Sequence, residues 1–165
     1  MKLRFICLLS LLLPLAPLTS HAQEAGLAER RAMAAYAKDI WPAAEKSIQD
    51  AAGFPVVIEL NLNSLALAGY ADSYTDADYL KNTVIEPVIR SFQAITIDEM
   101  GKTELKEKLK SLTILYDEKT APASNYVDGL TFEDGKLTIN WKPFSNAGDI
   151  EPRTKALTTL LESKL

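Results

Sequence analysis

Apolar positions change their spacing several times along the chain, and each change marks an element. Over residues 24–52 an alanine-rich stretch carries Met33, Tyr36, Ile40, Trp41 and Ile48 at helical spacings, which predicts one buried helical face. Pro42 lacks the N–H that would bond to Lys38, so a kink or a fresh helix is expected there, and Gly53 and Pro55 end the segment. Over residues 54–62 the period drops to two. Val56, Ile58, Leu60 and Leu62 alternate with Val57, Glu59 and Asn61, the pattern of a strand with one buried face.

Thr75 and Asp76 resemble a helix start, and Leu80, Val84, Val88, Phe92 and Ile95 follow at helical spacing, with Pro87 expected to kink or divide that helix. A short helix over 103–110 turns Leu105 and Leu109 inward and its lysines outward, the simplest reading of which is a solvated face. Leu112, Ile114 and Tyr116 give a second strand, and 121–128 a loop. Residues 130–141 carry the strongest local signal: Asp134-Gly135 suits a two-residue hairpin turn, pairing Glu133 with Lys136, Phe132 with Leu137, Thr131 with Thr138 and Leu130 with Ile139. A last helix opens at Asp149, has Pro152 in its first turn, and buries Ile150, Ala156, Leu157, Leu160 and Leu161. The order α-β-α-α-β-β-β-α predicts an α+β domain with a four-stranded, largely antiparallel sheet and helices packed on one face.

Residues 1–22 stand apart from this pattern. Lys2 and Arg4, an apolar stretch over 5–18 and Ser20-His21-Ala22 read as a secretory signal peptide cleaved before Gln23. Pro14 and Pro17 interrupt the stretch, which falls short of the ~20 apolar residues of a membrane span, and Cys7 lies too early for a lipid-anchored cysteine. The expectation is a single globular domain over 23–165, periplasmic or secreted, with no integral membrane anchor. The absence of any Asn-x-Ser/Thr triplet agrees with bacterial export.

Cleavage would remove the only cysteine and the only histidine. A mature chain without either has no disulfide, no Ser-His-Asp triad, no cysteine nucleophile and no ordinary zinc or haem ligands. No cofactor and no metal site are expected. Losing Lys2 and Arg4 from 18 basic residues leaves 16 against 22 acidic ones, a net charge of −6, which disfavours nucleic acid as a partner.

The leading candidate surface is the loop over 69–79, where Tyr70, Asp72, Tyr74, Asp76, Asp78 and Tyr79 crowd together. Tyrosine offers contact area and a hydroxyl, which suits ligand recognition. Calcium is disfavoured because the aspartates lack the Asp-x-Asp-x-Asp-Gly order. A second candidate is a polar sheet face formed by Glu59, Asn61 and Asn63 together with Thr131, Thr138 and Asn140, should their strands be neighbours; solvent is its plainer occupant. Trp41 and Trp141 are read as core residues.

Together these features predict an exported, non-enzymatic binding protein of the bacterial cell envelope. Its partner would be an envelope protein or a small polar or amphipathic ligand, and the protein itself a monomer or weak oligomer. The alternative is a cofactor-free, carboxylate-dependent hydrolase using Glu59, Asp72, Asp76 and Asp78, which requires two of them close together with a raised pKa.

Overall fold

The computed structural model describes residues 25–76 and 78–165; the expected leader over 1–22 lies outside the described residues. The alanine-rich segment forms two helices, α1 (Leu27–Asp39) and α2 (Trp41–Ala52), with Pro42 in the first turn of α2, where its missing N–H costs nothing. Gly53 closes α2 in the left-handed region at φ 79°, its N–H donating to the Gln49 carbonyl. Strand β1 (Val57–Leu60) follows, then the single turn α3 (Leu62–Leu65), capped by the Asn61 side chain, which accepts the Ser64 N–H at 3.2 Å.

The helix expected to run on from Thr75 is divided differently. Ala71–Thr75 form a 3₁₀ turn, and Leu80 takes the left-handed conformation at φ 61°. Lys81–Ile85 then form a π-turn that feeds α4 (Glu86–Ile95). Pro87 therefore sits in the first turn of a helix instead of kinking one. Helix α5 (Glu99–Lys108) starts earlier than its apolar spacing indicates, because Asp98 accepts the Gly101 N–H at 2.8 Å and caps it. Strand β2 (Ser111–Leu115) leads through a long loop and a 3₁₀ turn at Tyr126–Gly129 to β3 (Leu130–Glu133) and β4 (Lys136–Asn140). Helix α6 (Ile150–Lys164) ends the chain.

The four strands make one mixed sheet in the order β1-β2-β4-β3. The hairpin pairs in the expected register, around Asp134 and Gly135 at φ 52° and 84°. The expectation of a largely antiparallel sheet is overturned: β1 pairs with β2, and β2 with β4, in parallel, leaving β3–β4 the one antiparallel pair. Side-chain alternation reports that one face is buried and says nothing of strand direction. Here the chain returns to the start of the sheet through α3, α4 and α5 before β2, the long crossover that parallel neighbours require.

Strand parity separates two faces. Leu112, Ile114, Leu137 and Ile139, all without solvent exposure, point into one core with Ile48 of α2, Val88 and Phe92 of α4, and Leu157 and Leu161 of α6; Trp41 and Trp141 are buried in the same core. Helix α4 neighbours both α2 and α6, forming a helical layer against this apolar side. Glu59, Thr131, Glu133 and Lys136 on the opposite side are exposed. We expect Leu137→Ala to lower the unfolding free energy in urea by about 2–5 kcal/mol. Lys136→Ala, one residue along and on the other face, should change it by less than about 0.5 kcal/mol.

Candidate functional site

The tyrosine–aspartate loop divides on folding. Tyr74 and Tyr79 are core residues: the Tyr79 hydroxyl donates to the Leu65 carbonyl at 3.2 Å, and the Tyr74 hydroxyl accepts the Leu67 N–H at 2.5 Å. Their rings meet edge to face, and Tyr36 meets Tyr79 in the same way on the other side, both at centroid distances of 4.9 Å. Burial raises the pKa of all three phenols above the ordinary tyrosine value. Only Tyr70 of the loop's three tyrosines presents surface, 41% exposed and stacked on Phe144 at 4.2 Å.

Asp72, Asp76 and Asp78 are exposed, and the carboxylates of Asp76 and Asp78 are engaged locally. Asp76 accepts the Asp78 N–H at 2.8 Å, and Asp78 pairs with Lys81 at 2.7 Å. The three aspartates border a shallow hollow of about 360 Å³ with Tyr79 and Phe144. The loop thus anchors itself to the core through aromatic rings and leaves its carboxylates in water. Among the described residues, no group of three or more His, Cys, Asp or Glu is placed to hold a metal ion, and no helix is long and apolar enough to cross a membrane.

The polar side of the sheet offers a better-formed site. Register aligns Glu59, Thr113, Thr138 and Thr131 in one row across all four strands, with Leu115 and Asn140 paired in the next row. Strand β2 therefore lies between the two polar groups that the sequence identifies and joins them through Thr113, whose hydroxyl donates to Glu59 at 3.2 Å. Where β1, β2 and β4 end, this face deepens into a groove of about 500 Å³. Leu115 and Thr138 line it from the strands, Asn61 and Ser64 from the turn after β1, and Asp117 and Thr120 from the loop after β2. The carboxyl ends of parallel strands are where open sheets commonly place ligands, because the loops leaving them converge there.

A closed set of hydrogen bonds fixes the rim. Asn140 accepts the Asp117 N–H at 2.8 Å and donates to the Thr120 hydroxyl at 2.9 Å, and that hydroxyl donates to the Asp117 carboxylate at 2.9 Å. Asp117 also accepts the Lys119 N–H at 3.0 Å. On the opposite wall, Ser64 accepts the Tyr116 N–H at 3.1 Å and donates to the Asn61 carbonyl at 3.0 Å. Each amide and carboxylate keeps donor or acceptor capacity beyond these bonds, since an amide nitrogen carries two hydrogens and each carboxylate oxygen two lone pairs. The site is preorganised and still has hydrogen bonds to offer.

The Lys119 N–H, followed by the Thr120 hydroxyl, holds the Asp117 carboxyl below its ordinary value of 3.8. A depressed folded-state pKa means that Asp117 contributes stability above its unfolded pKa, and that this contribution is lost as pH falls through the lower, folded value. We expect Thr120→Val to move the Asp117 titration upward, followed by NMR of the side-chain carboxyl. It should stop short of the ordinary value because the Lys119 N–H remains.

Thr131, Thr138 and Asn140 are identifiable as polar-face residues from alternation alone. The strand expected over 54–62 stops at Leu60, because Asn61 caps α3, so Asn61 reaches the groove as that cap and Leu62 and Asn63 lie within the helical turn. Ser64, Asp117, Thr120 and Asp128 carry no such signal, because they sit in short turns and loops without a period. The one available signal was Asp117 followed by Thr120, a spacing at which an aspartate and a hydroxyl close a local turn. No protein-family model, curated protein or solved structure matches the chain.

Proposed function

We propose that the chain is an exported, non-enzymatic binding protein of the bacterial cell envelope and that its ligand is a small polar molecule held in the groove at the carboxyl ends of β1, β2 and β4. One observation carries this reading: the rim residues Asn140, Asp117 and Thr120 lock one another, while Asn61, Asp128 and Thr131 around the groove stay exposed. Preorganised polar groups at the mouth of a concave surface lower the ordering cost of binding. The periplasm, or the medium beyond it, is the compartment to which the 1–22 pattern points.

Carboxylate hydrolysis has less support. Glu59 lies on the sheet and is bonded by Thr113, whereas Asp72, Asp76 and Asp78 lie on the loop that packs against Phe144, and all four are exposed. The three loop aspartates share only a shallow, exposed hollow, and Glu59 is not among the residues that line it.

Native mass spectrometry of the protein isolated gently from its own producing cells tests the proposal. The expected spectrum shows a chain beginning at Gln23 with a retained small-molecule mass, and loss of that mass in the double variant Asn61→Ala/Thr138→Val. A retained mass that survives the double variant, or a chain isolated with its first 22 residues intact, would contradict the respective half of the proposal.

A further inference from the structure

The groove's chemistry narrows the class of its ligand, an inference that rests on the groove being the binding site. Besides the largely buried Tyr116, its neutral polar side chains are Asn61, Ser64, Thr120, Thr131, Thr138 and Asn140, and its charged ones are the carboxylates of Asp117 and Asp128. No lysine or arginine is among the described residues that line it. We propose that the groove takes a short, neutral saccharide.

A ligand must match the donors and acceptors that the groove presents. An amide nitrogen donates, a carboxylate accepts, and a threonine or serine hydroxyl does both. An anionic group brings only acceptors and would face two carboxylates: Asp117, whose pKa the Lys119 N–H and the Thr120 hydroxyl lower further, and Asp128, which accepts from Asn125 at 2.9 Å. An ammonium group would satisfy the carboxylates and leave the Asn61 amide hydrogens and the second Asn140 amide hydrogen, the first being bonded to Thr120, without acceptors as water is excluded, a cost that opposes binding. A sugar hydroxyl donates and accepts at the same atom, so a ring bearing several meets both sets. The floor suits the other side of such a ring. Leu115 and the threonine methyl groups offer apolar surface to its C–H face, between polar walls that meet its hydroxyls. A volume of about 500 Å³ lies within the range of small-molecule sites.

Discrimination in this scheme comes as much from the carboxylates as from the amides. Two carboxylates with no lysine or arginine among the side chains that line the groove, and only the smaller charge effect of Lys119 beside Asp117 to offset them, disfavour phosphorylated or carboxylated sugars that a purely neutral groove would admit. Phosphate or uronate derivatives should therefore bind more weakly than their neutral parents.

The experiment is a ¹⁵N-correlated NMR titration of the mature protein, comparing N,N′-diacetylchitobiose, maltose and cellobiose with cationic glucosamine and anionic galacturonate. The expected result is saturable shifts of the Asp117, Thr120 and Asn140 amides with at least one neutral disaccharide. Thr138→Val and Asn61→Ala, each tested for native folding by its own spectrum, should weaken that binding about tenfold, the worth of one or two net hydrogen bonds. Groove shifts with glucosamine or galacturonate alone would overturn the neutral-saccharide assignment and leave the groove as a binding site. Shifts confined to the Tyr70–Asp78 surface would overturn both. Silence from every sugar would overturn the saccharide assignment, while the retained mass in the native spectrum still decides whether the groove binds at all.

Discussion

The parity of two strands governs the rest of the molecule. In β2 and β4, Leu112, Ile114, Leu137 and Ile139 are wholly buried, and parallel pairing sets Leu112 beside Leu137 and Ile114 beside Ile139. A slip of one residue in either strand would carry Thr113 or Thr138 into the helical layer and expose a leucine and an isoleucine to water, so the register is fixed by burial. The same alternation makes the other face polar. Core and groove are therefore two consequences of one register: the residues left over from packing the helices are the ones that build the site.

A second constraint holds the carboxyl end of the sheet in shape. Arg153 of α6 is buried, and its guanidinium lies 4.3 Å from the centroid of the Tyr126 ring and donates to the carbonyls of Ser145 and Asn146. Burial lowers its pKa, with the Tyr126 and Asp149 charges acting in the opposite sense. Tyr126 donates to Asp149 at 2.7 Å, and its carbonyl accepts the Trp141 indole N–H at 2.9 Å. One cation thus ties together the 3₁₀ turn before β3, the chain leaving β4 and the first turn of α6. Removing one member of such a buried set strands the others, which is why it acts as a unit. Asp149, where α6 opens, gives its carboxylate to this cluster and makes no side-chain capping bond.

Legibility in the sequence followed the range of the interactions. The hairpin register was readable because Asp134-Gly135 and its flanking pairs are local, and the break between α1 and α2 because Pro42 forces it. Parallel pairing was not, since neither a strand's period nor its composition records which distant strand lies beside it, and the half-open sheet gives β1 and β2 the alternation usual in antiparallel ribbons. The helix drawn from Thr75 failed at Leu80, where a left-handed residue and a π-turn bring Tyr79 under Tyr36. Tertiary packing decided that segment against local propensity. In the same way Tyr74 and Tyr79 read as surface because loops usually are, whereas here the loop is held by its own rings. On the groove, alternation located the strand residues, and the loop residues awaited the fold.

The most direct test is a crystal structure of the protein taken from its own producing cells without a refolding step. Ligand density between Asn61 and Asn140, at the ends of β1, β2 and β4, is the result predicted. Density seated on the Asp72–Asp78 hollow, with the sheet groove filled only by water, would contradict it.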